Sequence, residues 1–275
     1  MTPLAVVAWQ EFRNDLRNRW VLAATGLLAI FALALAFLGG APAGTTGVGR
    51  IDLLVVSLAS LSIFLIPLLA LLLSYDSIVG EVERGTMLLL LAYPVSRAEI
   101  VAGKFLAHLG ILLVAVTVGF GSAAAALAFT GDAPGTAEWA AFLRLCITSV
   151  ALGASFLGLG YLASTMVTER ATAAGLALGV WLLLVIVFDL VLLAALVAFG
   201  SDIPPAAVEA ALMLNPADVF RLANLAVGGN VSEAAGMVGI GAELRLPASA
   251  LNGVLALWAI LPLAGAWLLF RRREV

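Results

Sequence analysis

Side chains that perform catalysis or bind metals are scarce in this sequence. The 275 residues include one histidine, His108, and one cysteine, Cys146. Zinc centres and nucleophilic Ser/His/Asp or Cys/His sites need several such groups. The five methionines are scattered, without the clustered spacing of soft copper ligands. No G-x-x-x-x-G-K-[ST] phosphate loop occurs. We therefore predict no metal site, no cofactor and no enzyme activity in this chain.

Charged side chains concentrate instead between residues 76 and 104, an interval flanked by two long apolar segments. Acidic and basic residues crowd positions 81–84, and an apolar stretch follows at 87–91. Pro94 then disfavours helix at its own position and at the residue before it. We predict a short polar helix or turn, an apolar helix of about six residues, a turn at Pro94, and a helix from Ala98.

The apolar stretch 87–91 has two readings. It is either an incidental patch in a solvated loop, or a segment that packs against the membrane or a partner protein. Five consecutive large apolar residues are costly to expose to water, so we expect a buried apolar turn. The interval is far longer than a turn requires, which indicates that a cytosolic partner binds it.

The composition is that of an integral membrane protein. Hydrophobic residues make up 63% of the chain and charged residues 11%, whereas soluble domains are less apolar and more charged. The net charge of −3 gives no basis for nucleic-acid binding. Six apolar runs are long enough to cross the bilayer; they occupy residues 20–38, 53–75, 105–129, 145–168, 171–199 and 247–270. We predict an all-α protein in which residues 1–275 form a single membrane domain of six transmembrane helices.

The distribution of Lys and Arg predicts the orientation. Ten of the 14 lie on the side of the termini and four on the other side, which places both termini in the cytoplasm of a bacterial inner membrane. The longest external region is then 200–246. Residues 1–19 carry an amphipathic pattern, which favours an interfacial elbow helix in contact with the lipid bilayer. The alternative is a solvated basic anchor that only sets the topology.

A few residues within the predicted spans stand out. Asp189 is a candidate intramembrane polar site because buried carboxylates are costly. However, a helix from 171 to 189 rises about 28 Å, so Asp189 also fits the outer membrane boundary. Lys104 and His108 share a helix face at the start of the third span. Gly175 and Gly179 form a GxxxG pair, a spacing that permits close helix approach and is compatible with a dimer interface.

At residues 75–97 the sequence resembles the first cytoplasmic loop of ABC-2-type transporter permeases. The likeness lies in the Gly-Glu, Gly-Thr, Leu-Leu and Pro-Val-Ser-Arg steps of that stretch. Residues 9–20, 214–222 and 267–273 extend it over nearly the whole chain. In combination, these segments are similar to the permease subunits of transporters that support maturation of nitrous-oxide reductase.

This resemblance implies a type V-like permease bundle that forms a homodimer. It implies two copies of an ABC ATPase subunit that binds ATP and Mg²⁺, a periplasmic β-helical accessory protein, and a role in assembling a copper–sulfur centre. The residues that would couple to the ATPase are Gly80, Glu81, Glu83, Arg84, Gly85, Thr86, Glu169 and Arg170. Periplasmic docking would fall on the 200–246 region, with Asn215, Pro216, Asp218 and Arg221 as the candidate residues.

Two other functions remain open from the sequence. The same fold could export a drug, a lipid or an ion, or the six helices could serve as a membrane scaffold without transport. The transported species is not encoded in any recognisable ligand set. Co-purification of a stoichiometric ATPase subunit would separate the two transport hypotheses from the scaffold.

Overall fold

The computed structural model describes residues 2–38, 50–130, 135–200, 203–225 and 247–273. These residues form helices and short connections, and no strand occurs among them. In chain order the helices are α1 (Pro3–Leu16), α2 (Arg19–Leu38), α3 (Arg50–Ser74), α4 (Val79–Glu83), α5 (Thr86–Leu91), α6 (Arg97–Thr130), α7 (Thr136–Met166), α8 (Arg170–Leu182), a π segment (Leu183–Val187), α9 (Phe188–Phe199), α10 (Pro205–Met213), α11 (Pro216–Leu225) and α12 (Ala248–Arg272).

Six helical stretches of the described chain are long and apolar enough to span a membrane, which confirms the predicted number. They comprise α2, α3 with α4, α6, α7, the continuous α8–π–α9 unit, and α12. Each is apolar nearly throughout, as a lipid-facing helix must be. Lipid offers no hydrogen-bond partner, so the backbone N–H and C=O groups of these spans are satisfied by intrahelical hydrogen bonds. The protein is therefore an all-α, multi-pass membrane protein.

Helix α7 lies at the centre of the bundle and packs mainly against α12 and α3. Small residues permit these close contacts. A Cβ atom added to Gly158 would lie 2.7 Å from the carbonyl oxygen of Ala259 on α12, and one added to Gly160 would collide with the Ser74 side chain. Ser155 Oγ donates to the carbonyl of Leu255 at 3.0 Å. The small residues of α7 therefore allow close helix approach.

Helix α1 packs along the first half of α6. Gly103 and Gly110, two turns apart on α6, allow this approach: a Cβ at Gly103 would lie 3.0 Å from Val7, and one at Gly110 would lie 3.1 Å from the ring of Phe12. The apolar face of α1 therefore contacts α6. Its position in the membrane interface stays a prediction.

The fifth span is the most exposed of the six in the single chain. Gly175 and Gly179 lie on its surface, and a Cβ at either position would meet no atom within 4 Å. Their small size is thus not used for packing within the described chain. Their use at a dimer interface stays a prediction.

The region 200–246 is not simply a loop. In its described part, 203–225, it forms two helices, α10 and α11, and the remainder lies largely outside the described residues. Val219 and Phe220 of α11 are fully buried, since α11 packs against α3, α7 and α12. The span order and the Lys/Arg distribution predict an external loop here; the described part is helical, and the apolar face of α11 packs into the bundle. The external location of the region stays a prediction.

Candidate functional site

The interval 76–104 folds almost as the sequence predicts. Helix α4 is short and polar, α5 has six residues, and α6 starts at Arg97, one residue before the predicted position. Gly85 joins α4 to α5 with φ of 73°, a left-handed conformation that favours glycine. Thr86 Oγ1 donates to the carbonyl of Glu81 at 3.2 Å and fixes the turn between the two helices.

The start of α4 is anchored to the centre of the bundle. Ser164 Oγ, on α7, accepts hydrogen bonds from the backbone N–H groups of Ile78 at 3.1 Å and Val79 at 3.0 Å. These amides begin a helix and have no intrahelical acceptor. Ser164 therefore acts as a cap supplied from another helix. Sequence reasoning missed this role, because 85 residues separate Ser164 from Val79.

Lys104 joins α1, α4 and α6. Its side chain is only 2% exposed, and its Nζ lies 2.6 Å from Glu11 Oε1 on α1 and 2.7 Å from Glu81 Oε1 on α4. A buried ammonium needs such partners because its desolvation is costly. We call Lys104, Glu11 and Glu81 the lysine hub. Through Lys104, the lysine hub links Glu81, a residue predicted to couple to the ATPase, to Glu11 of the N-terminal helix α1.

A second buried contact lies one turn further along α6. The Nε2 atom of His108 is 3.1 Å from Asp15 Oδ2, and its Nδ1 atom is 2.8 Å from the hydroxyl of Tyr161 on α7. Histidine at 3% exposure thus makes polar contacts to two helices. Together with the lysine hub, it pairs two basic residues four apart on α6 with two acidic residues four apart on α1. The i, i+4 spacing in the sequence shows that each pair shares one helix face, but not that the two faces meet.

The candidate coupling residues of the two cytosolic segments meet each other. Arg170 forms a two-pronged ion pair with Asp76, with Nε 2.6 Å from Oδ1 and Nη2 2.7 Å from Oδ2. The backbone N–H of Arg170 also donates to Glu83 Oε2 at 3.1 Å. Arg84 is 3.7 Å from the same aspartate. Gly80 is required here, since a Cβ would collide with the Asp76 carboxylate.

Glu169, the remaining residue of this predicted set, is exposed and precedes α8 as its N-cap residue. Its side chain makes no capping hydrogen bond. The structure thus brings the 76–86 segment and the start of α8 into one cluster, with Glu169 on its surface. Whether this cluster binds an ATPase stays a prediction.

The expected burial of the apolar turn 87–91 is only partly correct. Met87 is fully buried in a core with Ile78, Ile100 and Phe270. In contrast, Leu88 is 57% exposed and Leu89 67% exposed. A single helical turn directs consecutive side chains to different faces, so only one face of α5 can meet the bundle. The exposed leucines, with the adjacent exposed Tyr93, form an apolar patch that we call the α5 patch.

A cavity of about 620 Å³ opens beside the lysine hub. One side is lined by the charged residues of α1, α4 and α6, and the other by apolar side chains from the first turns of α2 and the last turns of α3. The cavity therefore lies at the ends of two membrane spans, and its lining changes from charged to apolar across its width.

A second polar cluster lies on the second half of the fifth span. Asp189 is in the first turn of α9, and its Oδ2 atom is 2.7 Å from Arg221 Nη2 on α11. Arg221 Nη1 is 2.5 Å from Asp218 Oδ1. Asn215 Nδ2 donates at 2.8 Å to the carbonyl of Leu184 in the π segment and at 2.9 Å to Asp218 Oδ2. Asp189, the candidate intramembrane site, is thus an ion-paired residue at 26% side-chain exposure.

One arginine faces two carboxylates in this cluster, and this affects protonation. Burial and the neighbouring Asp189 carboxylate raise the pKa of Asp218 to about 7, while Arg221 acts in the opposite direction. The cluster therefore binds a proton more readily than an exposed aspartate would. It serves to hold the π segment against α11.

The predicted periplasmic docking residues are placed less favourably for a direct contact. Asn215 is fully buried and Asp218 is 1% exposed, and Asn215 Oδ1 accepts the amide of Ala217 at the start of α11. Pro216 is the first residue of α11, and Arg221 is engaged by both aspartates. Their polar groups are occupied within the chain. Docking of a partner on this region stays a prediction.

No group of three or more His, Cys, Asp or Glu side chains suited to a metal ion occurs in the part of the chain that the structure describes. Each of the two polar clusters joins helices that are distant in sequence through short charged contacts.

Comparison with known proteins defines the class. The family model described as "ABC-2 family transporter protein" matches residues 5–275, so this chain belongs to the ABC-2 family of transporter permeases. Among its relatives is the "Probable ABC transporter permease protein NosY" of Stutzerimonas stutzeri, 47% identical over 269 residues, which are 97% of each chain. The protein of the same name in Pseudomonas aeruginosa is 46% identical over 270 residues, 98% of each chain.

Proposed function

We propose that this chain is the membrane subunit of an ABC transporter in which a separate subunit hydrolyses ATP. The chain would receive the movement of that ATPase at α4 and α5 and transmit it to the opposite side of the membrane. Family membership supports the permease role. Two copies of the ATPase subunit, which would hold ATP and Mg²⁺, would act on a homodimer of this chain in the bacterial inner membrane, with both termini cytoplasmic.

The observation that carries this proposal is the construction of the α4–α5 segment. Its outer side carries the α5 patch, and its inner side is fixed by the lysine hub, by Ser164 and by the Asp76–Arg170 pair. Exposed apolar side chains at the end of a membrane bundle are typical of a protein interface. A short segment that is exposed on one side and fixed to four helices on the other suits the transfer of force.

We further propose that the transporter supports assembly of the copper–sulfur centre of nitrous-oxide reductase, together with a periplasmic β-helical accessory protein. Two relatives that align over nearly their full length carry the name NosY, and the sequence resemblance points to the same system. The described residues hold no candidate metal site, so we propose that the chain performs conformational work and does not relay copper along its own side chains.

The coupling role is tested with the double variant Glu83→Ala, Arg84→Ala. Both side chains are exposed, and exposed ion pairs contribute little to stability, so the variant should insert and assemble normally. We expect ATP turnover of the purified complex to lose its dependence on the periplasmic partner. Arg13→Ala, an exposed arginine on α1, is the matched control and should retain that dependence.

Two readouts separate the parts of the proposal. Full partner-dependent ATP turnover in the double variant would refute the assignment of coupling to α4. The second readout is the visible spectrum of the copper–sulfur centre in reductase isolated from cells that lack this chain. A normal centre in those cells would refute the maturation role and leave the coupling role standing.

A further inference from the structure

The cavity beside the lysine hub has two chemically different halves. Its charged half contains four carboxylates, three permanent cations and His108. Its apolar half contains Val21 and Ala24 from α2 and Leu69, Leu72 and Leu73 from α3. A volume of about 620 Å³ lies in the usual range for small-molecule sites. The lining therefore fits an amphiphile with a polar head and an apolar body.

The charged half has unused hydrogen-bonding capacity. Glu81 uses Oε1 to contact Lys104, whereas its Oε2 atom is buried without a hydrogen-bond partner. Asp15 Oδ2 and Asp76 Oδ1 are also buried, but they already lie 3.1 Å from His108 Nε2 and 2.6 Å from Arg170 Nε. Buried carboxylate oxygens rarely lack a donor. The Glu81 oxygen, in a lining with one more carboxylate than permanent cations, calls for a ligand that donates N–H groups and carries positive charge.

The apolar half indicates where such a ligand comes from. It is formed by the end turns of two membrane spans, at the level where lipid head groups meet acyl chains. Trp20, at the rim, is 81% exposed and Leu72 is 59% exposed, so this side is open to the surroundings of the bundle. Tryptophan at a span end is typical of the membrane interface.

We propose that this cavity is a binding site for a phospholipid with a primary amine head group, of the phosphatidylethanolamine type. The ammonium group donates to the Glu81 carboxylate, the phosphate lies toward the exposed guanidinium groups of Arg84 and Arg170, and the acyl chains leave along Leu72. An anionic lipid without an amine is disfavoured by the carboxylates. This site does not depend on the coupling role proposed above.

The lipid itself provides the sharpest test. The full chain is purified, and binding of phosphatidylethanolamine, phosphatidylcholine and phosphatidylglycerol is compared by native mass spectrometry and by thermal stability in defined nanodiscs. Phosphatidylcholine has no N–H donor, so we expect it to bind about tenfold more weakly, the effect of one charge-assisted hydrogen bond. Phosphatidylglycerol should also bind more weakly, because it lacks the ammonium group.

Two variants locate the site. Ala24→Trp fills the apolar half and should abolish the preference for the amine lipid. Leu22→Trp, on the same helix but exposed and outside the cavity, is the matched control and should retain it. If Ala24→Trp does not yield a monodisperse protein, the comparison of the three lipids on the unmodified chain decides alone.

Three results would overturn the proposal. The first is equal or tighter binding of phosphatidylglycerol or phosphatidylcholine. The second is an amine preference that survives in a folded Ala24→Trp variant. The third is displacement of the lipid by soluble phosphoethanolamine at the same concentration, which would assign the cavity to a free amine in place of a lipid.

Discussion

Replacement of Lys104 by methionine gives the most direct test of the lysine hub. Methionine keeps most of the apolar stem but removes the ammonium group, leaving Glu11 and Glu81 close together without a counter-ion. Loss of one partner from a buried ion pair costs about 3–5 kcal/mol. The two glutamate side chains keep 23% and 14% exposure, so water screens part of that cost. We expect Lys104→Met to lower the free energy of unfolding by about 2–4 kcal/mol.

A triple variant separates the charge effect from the packing effect. Lys104→Met combined with Glu11→Gln and Glu81→Gln removes all three charges while keeping the side-chain volumes nearly constant. Replacement of an entire buried ionic cluster by neutral groups is often close to neutral for stability. The triple variant should therefore regain most of the stability that the single variant loses. Arg13→Met, at an exposed position on the same helix as Glu11, should change stability by less than about 0.5 kcal/mol.

The measurement is reversible unfolding of the purified chain in mixed micelles with increasing denaturing detergent, monitored by far-ultraviolet circular dichroism. Equal stability of Lys104→Met and the unmodified protein would show that Lys104 is not paired as described. A triple variant no more stable than the single one would show that the loss came from packing and not from unpaired charge.

Two further predictions concern other parts of the bundle. Gly158→Ala places a Cβ atom 2.7 Å from a backbone oxygen of α12, so the melting temperature should fall, by an amount equivalent to about 1–3 kcal/mol; Gly253→Ala, where nothing lies within 4 Å, is the control and should not fall. Because burial raises the pKa of Asp218 to about 7, the folded state holds more protons than the unfolded state between about pH 4 and 7. Stability should then decrease as pH rises through that window, and Asp218→Asn should flatten this part of a melting-temperature profile; an unchanged slope would contradict the pKa shift.

The sequence predicts the spans and the shape of the α4–α5 segment well, and the reason is local. Hydropathy alone delimits a membrane helix, because the bilayer demands a minimum apolar length. Pro94 ends one helical run, and Gly85 permits the sharp turn before α5. These features depend on residues that are neighbours in the chain.

The polar clusters escaped sequence reasoning because their partners are distant. Lys104 and Glu11 are 93 residues apart, and Arg221 and Asp189 are 32 apart. A charge pattern shows that each group needs a partner, but many partners satisfy that need equally well. The helices within the predicted loop region 200–246 were missed for the same reason. The apolar face of α11 is short, and it is buried only by contact with α3, α7 and α12.

The two clusters are connected by one continuous element. Arg170, paired with Asp76, is the first residue of α8, and the helix continues through the π segment to Asp189, which is paired with Arg221 of α11. At 1.5 Å per residue this path covers about 28 Å. A shift of Asp76 together with the α4 helix that follows it must either break the Asp76–Arg170 pair or displace α8.

The π segment is the part of this path at which the helix can bend. A π segment interrupts regular α-helical hydrogen bonding and is a recognised site of helix bending. Here the carbonyl of Leu184 within it is held by Asn215, which fixes the segment to the start of α11. Two attachments therefore join the α8–π–α9 unit to α11, the Leu184–Asn215 hydrogen bond and the Asp189–Arg221 ion pair. A displacement of α8 would act on α11 through these two contacts, which hold Asn215 and Arg221 inside the bundle.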